Sequence, residues 1–141
     1  MVSGKNQQWY YEPDSMHLKH FSSNKCVRAH TSNNYLGMYS CSGSEFSGSE
    51  FFVPLTWLPA AYLDKIRVFS DTNKCFDAKP DSNNNVYMAD CQKDNLNQVF
   101  HYDPRTLSIK HAGLCLDQSD NNNVYLSECH HVSVVCLFCY V

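Results

Sequence analysis

The chain has 141 residues, a net charge of −3 at pH 7, and 43% hydrophobic and 18% charged residues. This length fits one domain with a substantial core, and the acidic balance argues against a nucleic-acid-binding protein, which usually presents a basic face. No apolar run approaches the ~20 residues needed to cross a bilayer, so no membrane span is predicted.

The N-terminal stretch reads as the last part of a repeat rather than its beginning. Residues 6–13 (Asn-Gln-Gln-Trp-Tyr-Tyr-Glu-Pro) match residues 97–104 (Asn-Gln-Val-Phe-His-Tyr-Asp-Pro). Each match is followed by apolar residues that alternate with polar ones, around Leu18 and Ile109. A period of two predicts short, half-buried β-strands.

Three similar units follow along the chain, at about 16–51, 66–100 and 107–129. Units two and three share the run Asn-Asn-Asn-Val-Tyr before an apolar residue and a cysteine, at 83–91 and 121–129. A period near 40 residues is typical of repeat architectures, and the asparagine runs predict turns. No stretch shows convincing helical periodicity, so we predict an all-β fold.

The third unit lacks the Asn-Gln-x-aromatic strand that ends the second, and the chain begins with one such piece at 6–9. The simplest arrangement is a circular permutation, in which this N-terminal piece closes the third unit in space. The sequence then predicts three pseudo-repeats of four strands each, about twelve strands, in a single domain spanning 1–141.

Six of the eight cysteines form three pairs, one in each unit, and the two cysteines of a pair are separated by a similar number of residues in every unit. This regularity predicts three local disulfides and therefore a secreted or extracellular protein. Loops of this length would each gain ~3 kcal/mol of stability in the chain-entropy model. Buried free thiols in a cytosolic protein are the alternative. The predicted pairs are Cys26 with Cys41, Cys75 with Cys91, and Cys115 with Cys129.

No signal peptide is visible, because no apolar segment follows Met1. This observation conflicts with the cysteine pattern. We give the cysteines more weight, and expect that the natural start of the protein lies upstream or that the sequence is a fragment.

Three segments do not fit the repeat. Residues 42–46 are duplicated in tandem as 47–51, residues 52–64 read as an insertion with one helical turn, and 132–141 form an atypical apolar tail. Cys136 and Cys139 in this tail have metal-ligand spacing and lie near His130 and His131. A second Cys-x-x-Cys, which zinc ribbons normally show, is missing, so neither a metal nor a cofactor is predicted.

The repeated motifs carry a resemblance to a known family. Cys-Leu-Asp at 115–117, Val-Tyr-Leu-x-x-Cys at 124–129 and Asn-Gln-x-Trp at 6–9 are together similar to the ricin-B-type lectin repeat. The resemblance covers nearly the whole chain apart from 52–64 and the tail. It implies a β-trefoil that binds carbohydrate without catalysis, as a lectin or as the sugar-binding module fused to a catalytic domain or toxin.

The resemblance also implies roles for particular residues. The Asp after the first cysteine accepts hydrogen bonds from sugar hydroxyls, the Asn of Asn-Gln binds the sugar, the Gln supports the Asp, and an aromatic platform stacks on the ring. Carboxylates and amides match the donors and acceptors of vicinal hydroxyls, and an aromatic face covers apolar C–H groups. Carried over to this chain, the sugar-binding residues are Asp77, Tyr87, Asn97 and Gln98 in unit two, and Asp117, Tyr125, Asn6, Gln7 and His130 in unit three.

The chain departs from the family pattern in each unit. The platform position is Ala89 in unit two and Ser127 in unit three, neither of them aromatic. Unit one keeps an aromatic platform, Tyr39, but Arg28 replaces the Asp and no Asn-Gln pair follows. We interpret unit one as degenerate. The sugar expected from the resemblance is galactose or a related glycan.

Two alternatives stay open at this point. The two Asp and the Asn-Gln pairs could be structural groups that cap turns and support the fold. The chain could also be a trefoil that binds protein, such as a protease inhibitor or scaffold with decayed sugar sites. Its candidate surface would then be the segment 42–64, which is rich in aromatic residues.

Overall fold

A computed structural model describes residues 2–30, 33–41, 52–53, 65–68, 73–79 and 83–132. These residues form fourteen β-strands and two short 3-10 helices, Lys5–Gln7 and Leu96–Gln98. The strands are β1 (Val2–Ser3), β2 (Trp9–Glu12), β3 (His17–His20), β4 (Cys26–Ala29), β5 (Leu36–Tyr39), β6 (Phe52–Val53), β7 (Arg67–Val68), β8 (Lys74–Asp77), β9 (Tyr87–Asp90), β10 (His101–Asp103), β11 (Ser108–His111), β12 (Leu114–Gln118), β13 (Val124–Glu128) and β14 (His131–Val132).

Twelve of these strands form three antiparallel sheets of four, each made of strands that are consecutive in the chain: β2–β5, β6–β9 and β10–β13. The remaining two, β1 and β14, pair with each other, with Val2 opposite Val132. The all-β prediction and the prediction of three four-stranded units are therefore confirmed. Within the described ranges, neither helix is long or apolar enough to cross a membrane.

The sheets begin one strand earlier than the predicted units. The Asn-Gln pairs were expected in strands, and this detail is wrong: both lie in 3-10 helices, and the aromatic residue that follows leads into the next sheet. The reason is local hydrogen bonding: the N–H of Gln7 donates to the carbonyl of Gly4 (2.9 Å), and the N–H of Gln98 donates to the carbonyl of Asn95 (3.1 Å). In unit two the side chain of Asn95 also accepts from the N–H of Asn97 (3.0 Å) and caps the turn.

Two of the segments that do not fit the repeat begin within sheets. Phe52 and Val53, at the start of the predicted insertion, form β6 and pair with β7. Val132, at the start of the predicted tail, pairs with β1. Residues 42–51, 54–64 and 133–141 lie outside the described residues, and with them the predicted helical turn, Cys136 and Cys139.

Three asparagine turns join the sheets into a ring. Asn34, Asn84 and Asn122 each have a positive φ, of 60°, 61° and 65°. The backbone carbonyl of each accepts a hydrogen bond from the next sheet around the ring: Met88 N to Asn34 (2.8 Å), Leu126 N to Asn84 (2.8 Å), and Met38 N to Asn122 (2.9 Å). The ring closes because the third turn bonds back to the first sheet.

A single apolar core lies inside this ring and receives side chains from all three sheets. Trp9 and Phe100, the aromatic residues of the two Asn-Gln-x-aromatic pieces, are both fully buried. Each packs against the histidine at the end of the following hairpin: Trp9 against His20 with 5.0 Å between ring centroids, and Phe100 against His111 with 5.1 Å. Other core residues are Val27, Met38, Phe76, Met88, Ile109, Leu116 and Leu126.

Three disulfides, one in each sheet, connect the third strand of the sheet to a cysteine just after the fourth strand. All three predicted pairings are confirmed, with Cα–Cα distances of 5.0 to 5.1 Å. The pairs are Cys26–Cys41, Cys75–Cys91 and Cys115–Cys129.

Candidate functional site

The two predicted aspartates occupy equivalent positions and are both buried. Asp77 ends β8 and Asp117 lies in β12, and each residue is 3% exposed. On the neighbouring strand, Tyr87 lies directly opposite Asp77 and Tyr125 directly opposite Asp117. The fold therefore builds the same carboxylate–tyrosine pair in units two and three.

In unit two, the carboxylate is held by amide side chains. Gln98 donates from Nε2 to Oδ2 of Asp77 (3.0 Å), and Asn95 donates from Nδ2 to the same oxygen (3.2 Å). Gln98 also donates to the carbonyl of Asp90 (2.8 Å), and its Oε1 accepts from the N–H of Gln92 (2.9 Å). Gln98 thus fastens the loop between β9 and the 3-10 helix onto the carboxylate.

An open pocket of about 620 Å³ lies beside this network. Asn95 links the pocket to the carboxylate, because Asn95 lines it and donates to Asp77, which does not itself line it. Asn97 also lines the pocket; its carbonyl accepts from the N–H of Ala78 (2.9 Å), which fixes its backbone beside β8. The lining residues are Gln92, Lys93, Asp94, Asn95, Leu96 and Asn97.

In unit three, the N-terminal segment supplies the amide. Gln7 donates from Nε2 to Oδ2 of Asp117 (2.9 Å) and to the carbonyl of Glu128 (2.8 Å), and its Oε1 accepts from the N–H of His130 (2.7 Å). Trp9 donates from its ring N–H to the carbonyl of Leu116 (2.9 Å). The residues at 6–9 therefore complete the third unit in space, as the circular-permutation prediction states.

The two clusters differ at the platform position. Ser127 donates to Oδ2 of Asp117 (2.7 Å), so this oxygen accepts from both Gln7 and Ser127. Its other oxygen, Oδ1, is buried and has no hydrogen-bond partner among the described residues. In unit two the corresponding residue is Ala89, and Asn95 provides the second donor instead.

The remaining predicted residues lie around these two carboxylates. Asn6 and His130 are exposed at the edge of the unit-three cluster. Tyr125 is half-buried, and burial, followed by the nearby Asp117 and Asp120, raises the pKa of its hydroxyl. Tyr87 packs instead against Tyr35 of unit one, with ring centroids 4.9 Å apart. The nine predicted residues thus lie in or beside the two Asp–Gln clusters, and Tyr87 also contacts the neighbouring unit.

Sequence reasoning missed two members of these clusters. Asn95 lies two positions before the Asn-Gln pair, in an Asn-x-Asn-Gln pattern that unit three does not share. Ser127 was identified only as a departure from an aromatic platform. Its hydroxyl role becomes visible only when β12 and β13 are paired, with Cys115 opposite Ser127.

One group of potential metal ligands occurs in the described part of the chain. Ligand atoms of His17, Cys26 and Cys41 lie within 4.8 Å of one another. The two cysteines form a disulfide, however, and a cysteine binds zinc only as a thiolate. This group is therefore explained by the disulfide.

Comparison with known proteins agrees with the three-sheet fold. The family model for the ricin-type beta-trefoil lectin domain matches residues 36–134. A comparison with curated protein sequences finds no significant match.

Several solved structures share the fold at low sequence identity. A non-toxic homologue of type II RIPs from Momordica charantia (bitter gourd), in complex with α-methyl-D-galactoside, is similar with a TM-score of 0.61 and 19% identity over 74% of this chain and 39% of that one. GalNAc-T7 with UDP, GalNAc and Mn2+ is similar with a TM-score of 0.62 and 18% identity over 90% of this chain and 21% of that one.

A third structure is closer to this chain in length. The Vibrio vulnificus hemolysin/cytolysin β-trefoil lectin with N-acetyl-D-lactosamine bound is similar with a TM-score of 0.53 and 12% identity, over 74% of this chain and 76% of that one. The first two structures, by contrast, are much longer than the matched region. The family match over 36–134, together with the three four-stranded sheets and the two Asp–Gln clusters, shows that this chain belongs to the ricin-type β-trefoil lectin domain family.

Proposed function

We propose that the chain binds glycans, without catalysing a reaction, through the two Asp–Gln clusters of units two and three. The observation that carries this proposal is the repetition of one arrangement: a buried carboxylate held by a glutamine, with an asparagine next to that glutamine and a tyrosine across the strand. A preformed set of amide and carboxylate groups suits sugar hydroxyls, which both donate and accept hydrogen bonds.

Within this proposal, Asn97 and Asn6 make the direct sugar contacts at the surface. Asp77 and Asp117 are 3% exposed, and their carboxylates already accept two hydrogen bonds each. They therefore act mainly by holding the loops that present Asn97 and Asn6. Unit two is the stronger site, because a pocket of about 620 Å³ adjoins Asn97.

The sugar we propose is of the galactose type, supported by the α-methyl-D-galactoside in the bitter gourd homologue. Shallow single sites of this kind usually give about 4–6 kcal/mol of binding free energy, so two sites gain through avidity on a polyvalent glycan. The three disulfides support an extracellular location. We propose that the chain acts there alone or as the sugar-binding module of a larger protein.

The test is a glycan-array screen of the oxidised protein beside an Asn6→Ala/Asn97→Ala double variant. These substitutions remove surface amides and leave the buried carboxylate networks in place. Gln118→Ala is the matched control, because it also removes an amide, but from the face of β12 opposite to the one that carries Asp117. We expect the double variant to lose glycan binding and the control to keep it; equal binding by all three proteins would refute the proposal.

The protein-binding alternative receives no support from a described contact. Apart from β6, its candidate surface at 42–64 lies outside the described residues. A folded protein that fails to bind any glycan on the array would return attention to that surface.

A further inference from the structure

Unit one, which the sequence suggests is degenerate, has an open pocket of its own. The pocket has a volume of about 500 Å³ and lies between the first sheet and the asparagine turn of unit three. Residues from both units line it: Lys25, His30, Asn33, Tyr35, Leu36, Gly37, Met38, Tyr39, Ser40, Asn121, Asn122 and Asn123. None of its lining residues lines the unit-two pocket or belongs to the two Asp–Gln clusters, so this site is separate from those described above.

Unit one carries a positive charge at the position two residues after its first cysteine, where units two and three carry a negative charge. Arg28 follows Cys26 by two residues, as Asp77 follows Cys75 and Asp117 follows Cys115. The residue opposite Arg28 on the neighbouring strand is Gly37, where units two and three carry tyrosines. A carboxylate–tyrosine pair has thus become an arginine–glycine pair.

The glycine allows an aromatic ring to take the vacated place. A Cβ added at Gly37 would lie 2.8 Å from Cε2 of Tyr39, so the tyrosine ring packs directly over the glycine. Arg28 stacks on this ring, with Cζ 4.8 Å from the ring centroid. The hydroxyl of Tyr39 is hydrogen bonded to Nε2 of His30. Arg28, Tyr39 and His30 therefore form one connected cluster, of which Tyr39 and His30 line the pocket.

The described lining of the pocket carries the cationic side chain of Lys25 and no carboxylate, and Arg28, which does not line the pocket, stacks on the lining residue Tyr39. Lys25 is half-buried and donates from Nζ to the side-chain oxygen of Asn122, which fixes its ammonium group at the boundary between units. Asp120 is exposed and adjacent to Asn121 in sequence, but it does not line the pocket. A lysine held in place, with Arg28 and a histidine close by, favours an anionic ligand.

The rest of the lining suits a sugar ring rather than a bare anion. Tyr35 is 48% exposed at the rim and is supported by Tyr87 behind it, so its ring is available for stacking on C–H groups. Asn33, Asn123 and Ser40 add amide and hydroxyl groups that can bond to sugar hydroxyls.

We propose that the unit-one pocket binds an anionic sugar, a ring that carries a carboxylate or a sulfate. Lys25 and Arg28 would attract the anionic group, Tyr35 would stack on the ring, and the amides would bond to its hydroxyls. The chain would then recognise neutral sugars in units two and three and an acidic sugar in unit one.

The experiment compares matched sugars by ¹⁵N NMR titration of the oxidised full chain at constant ionic strength. Methyl β-D-glucuronide and methyl β-D-glucoside differ only in the carboxylate, galactose 6-sulfate tests the sulfate, and inorganic sulfate tests the anion alone. We expect shifts at the amides of Gly37, Tyr39 and Asn122, with at least about tenfold tighter binding of an anionic sugar than of the glucoside.

Matched variants locate the effect. Lys25→Gln/Arg28→Gln should weaken anionic-sugar binding about tenfold or more. The control Arg105→Gln/Lys110→Gln removes two charges from the β10–β11 hairpin and should change the affinity for the anionic sugar less than about twofold. Tyr35→Ala leaves Lys25 and Arg28 in place. It should weaken the binding of the anionic sugar but not the binding of inorganic sulfate.

Three results would overturn the proposal. These are equal binding of the glucuronide and the glucoside, inorganic sulfate binding as tightly as galactose 6-sulfate, and an unchanged affinity in the Lys25→Gln/Arg28→Gln variant. The Asn6→Ala/Asn97→Ala variant separates this site from the neutral sites: it should keep the shifts at Gly37 and Tyr39 whether or not units two and three bind glycans.

Discussion

Single buried polar residues hold the loops of this molecule. The oxygen Oδ2 of Asp77 accepts hydrogen bonds from both Asn95 and Gln98 in a place that is 3% exposed. Removing a buried acceptor leaves its donors without partners, and that costs more free energy than the bonds themselves contribute.

Asp77→Ala should therefore lower the free energy of unfolding by about 1–3 kcal/mol, independently of any ligand. Urea denaturation with the disulfides intact measures this change. Asp120→Ala, which removes an exposed carboxylate, should stay within about 0.5 kcal/mol of the parent protein. If both variants are equally stable, the network around Asp77 does not support the fold.

A buried histidine links stability to pH. His20 lies against Trp9, and its Nδ1 is within hydrogen-bond distance of the hydroxyl of Ser23 (2.8 Å). Burial lowers the pKa of His20, and the backbone of Lys5 and Asn6 acts in the opposite direction. The unfolded chain therefore binds a proton to this residue more readily than the folded protein does.

The contribution of His20 to stability should be fully present above its unfolded pKa of about 6.5 and should be lost as the pH falls below that value. One proton limits the slope to about 1.4 kcal/mol per pH unit. Urea unfolding between pH 5 and 8 should show a smaller decrease at low pH for His20→Gln than for the parent protein. His101→Gln, at an exposed position, should keep the parent profile; identical profiles for all three proteins would contradict this prediction.

Much at the residue scale could be predicted from the sequence, because it follows from repetition. The cysteine pairs recur with similar spacing, and the two Asn-Gln pairs match each other. Asn95 and Ser127 could not be predicted, because they occupy different places in units two and three. Each provides the second donor to its carboxylate, so the same need is met from different positions.

Among the elements, the asparagine turns connect one unit to the next. Their side chains led us to predict turns, but the connection is made by their backbone carbonyls. The left-handed conformation directs each carbonyl toward the adjacent sheet, and asparagine tolerates this conformation better than most residues. The sequence pattern showed where the chain turns, whereas the partner strand depends on how three sheets close into a ring.

The backbone conformation of one turn can be tested separately from its side chain. Asn84 has a φ of 61° and is exposed. Asn84→Ala and Asn84→Gly both delete the side chain, but only glycine adopts positive φ without steric cost. The alanine variant should be about 1 kcal/mol less stable than the glycine variant in thermal or urea unfolding. Equal stability would show that the turn adopts another conformation in solution.

For the whole molecule, the decisive feature is closure between segments that are distant in sequence. The prediction that residues 6–9 complete the third unit rested on an incomplete repeat, and Gln7 and Trp9 make the expected contacts with Asp117 and Leu116. The pairing of β1 with β14 was not predicted, since two-residue strands have no detectable period. The pocket of unit one was also missed, because its lining comes from two units.

This closure has a consequence for the order of events during synthesis. Gln7 and Trp9 leave the ribosome more than a hundred residues before their partners Leu116, Asp117 and Glu128. At typical elongation rates the N-terminal segment waits roughly 5 to 20 s for these partners. The first two sheets can form in that interval, whereas the third unit can close only after translation has passed Glu128. Contacts between such distant residues also favour slow folding.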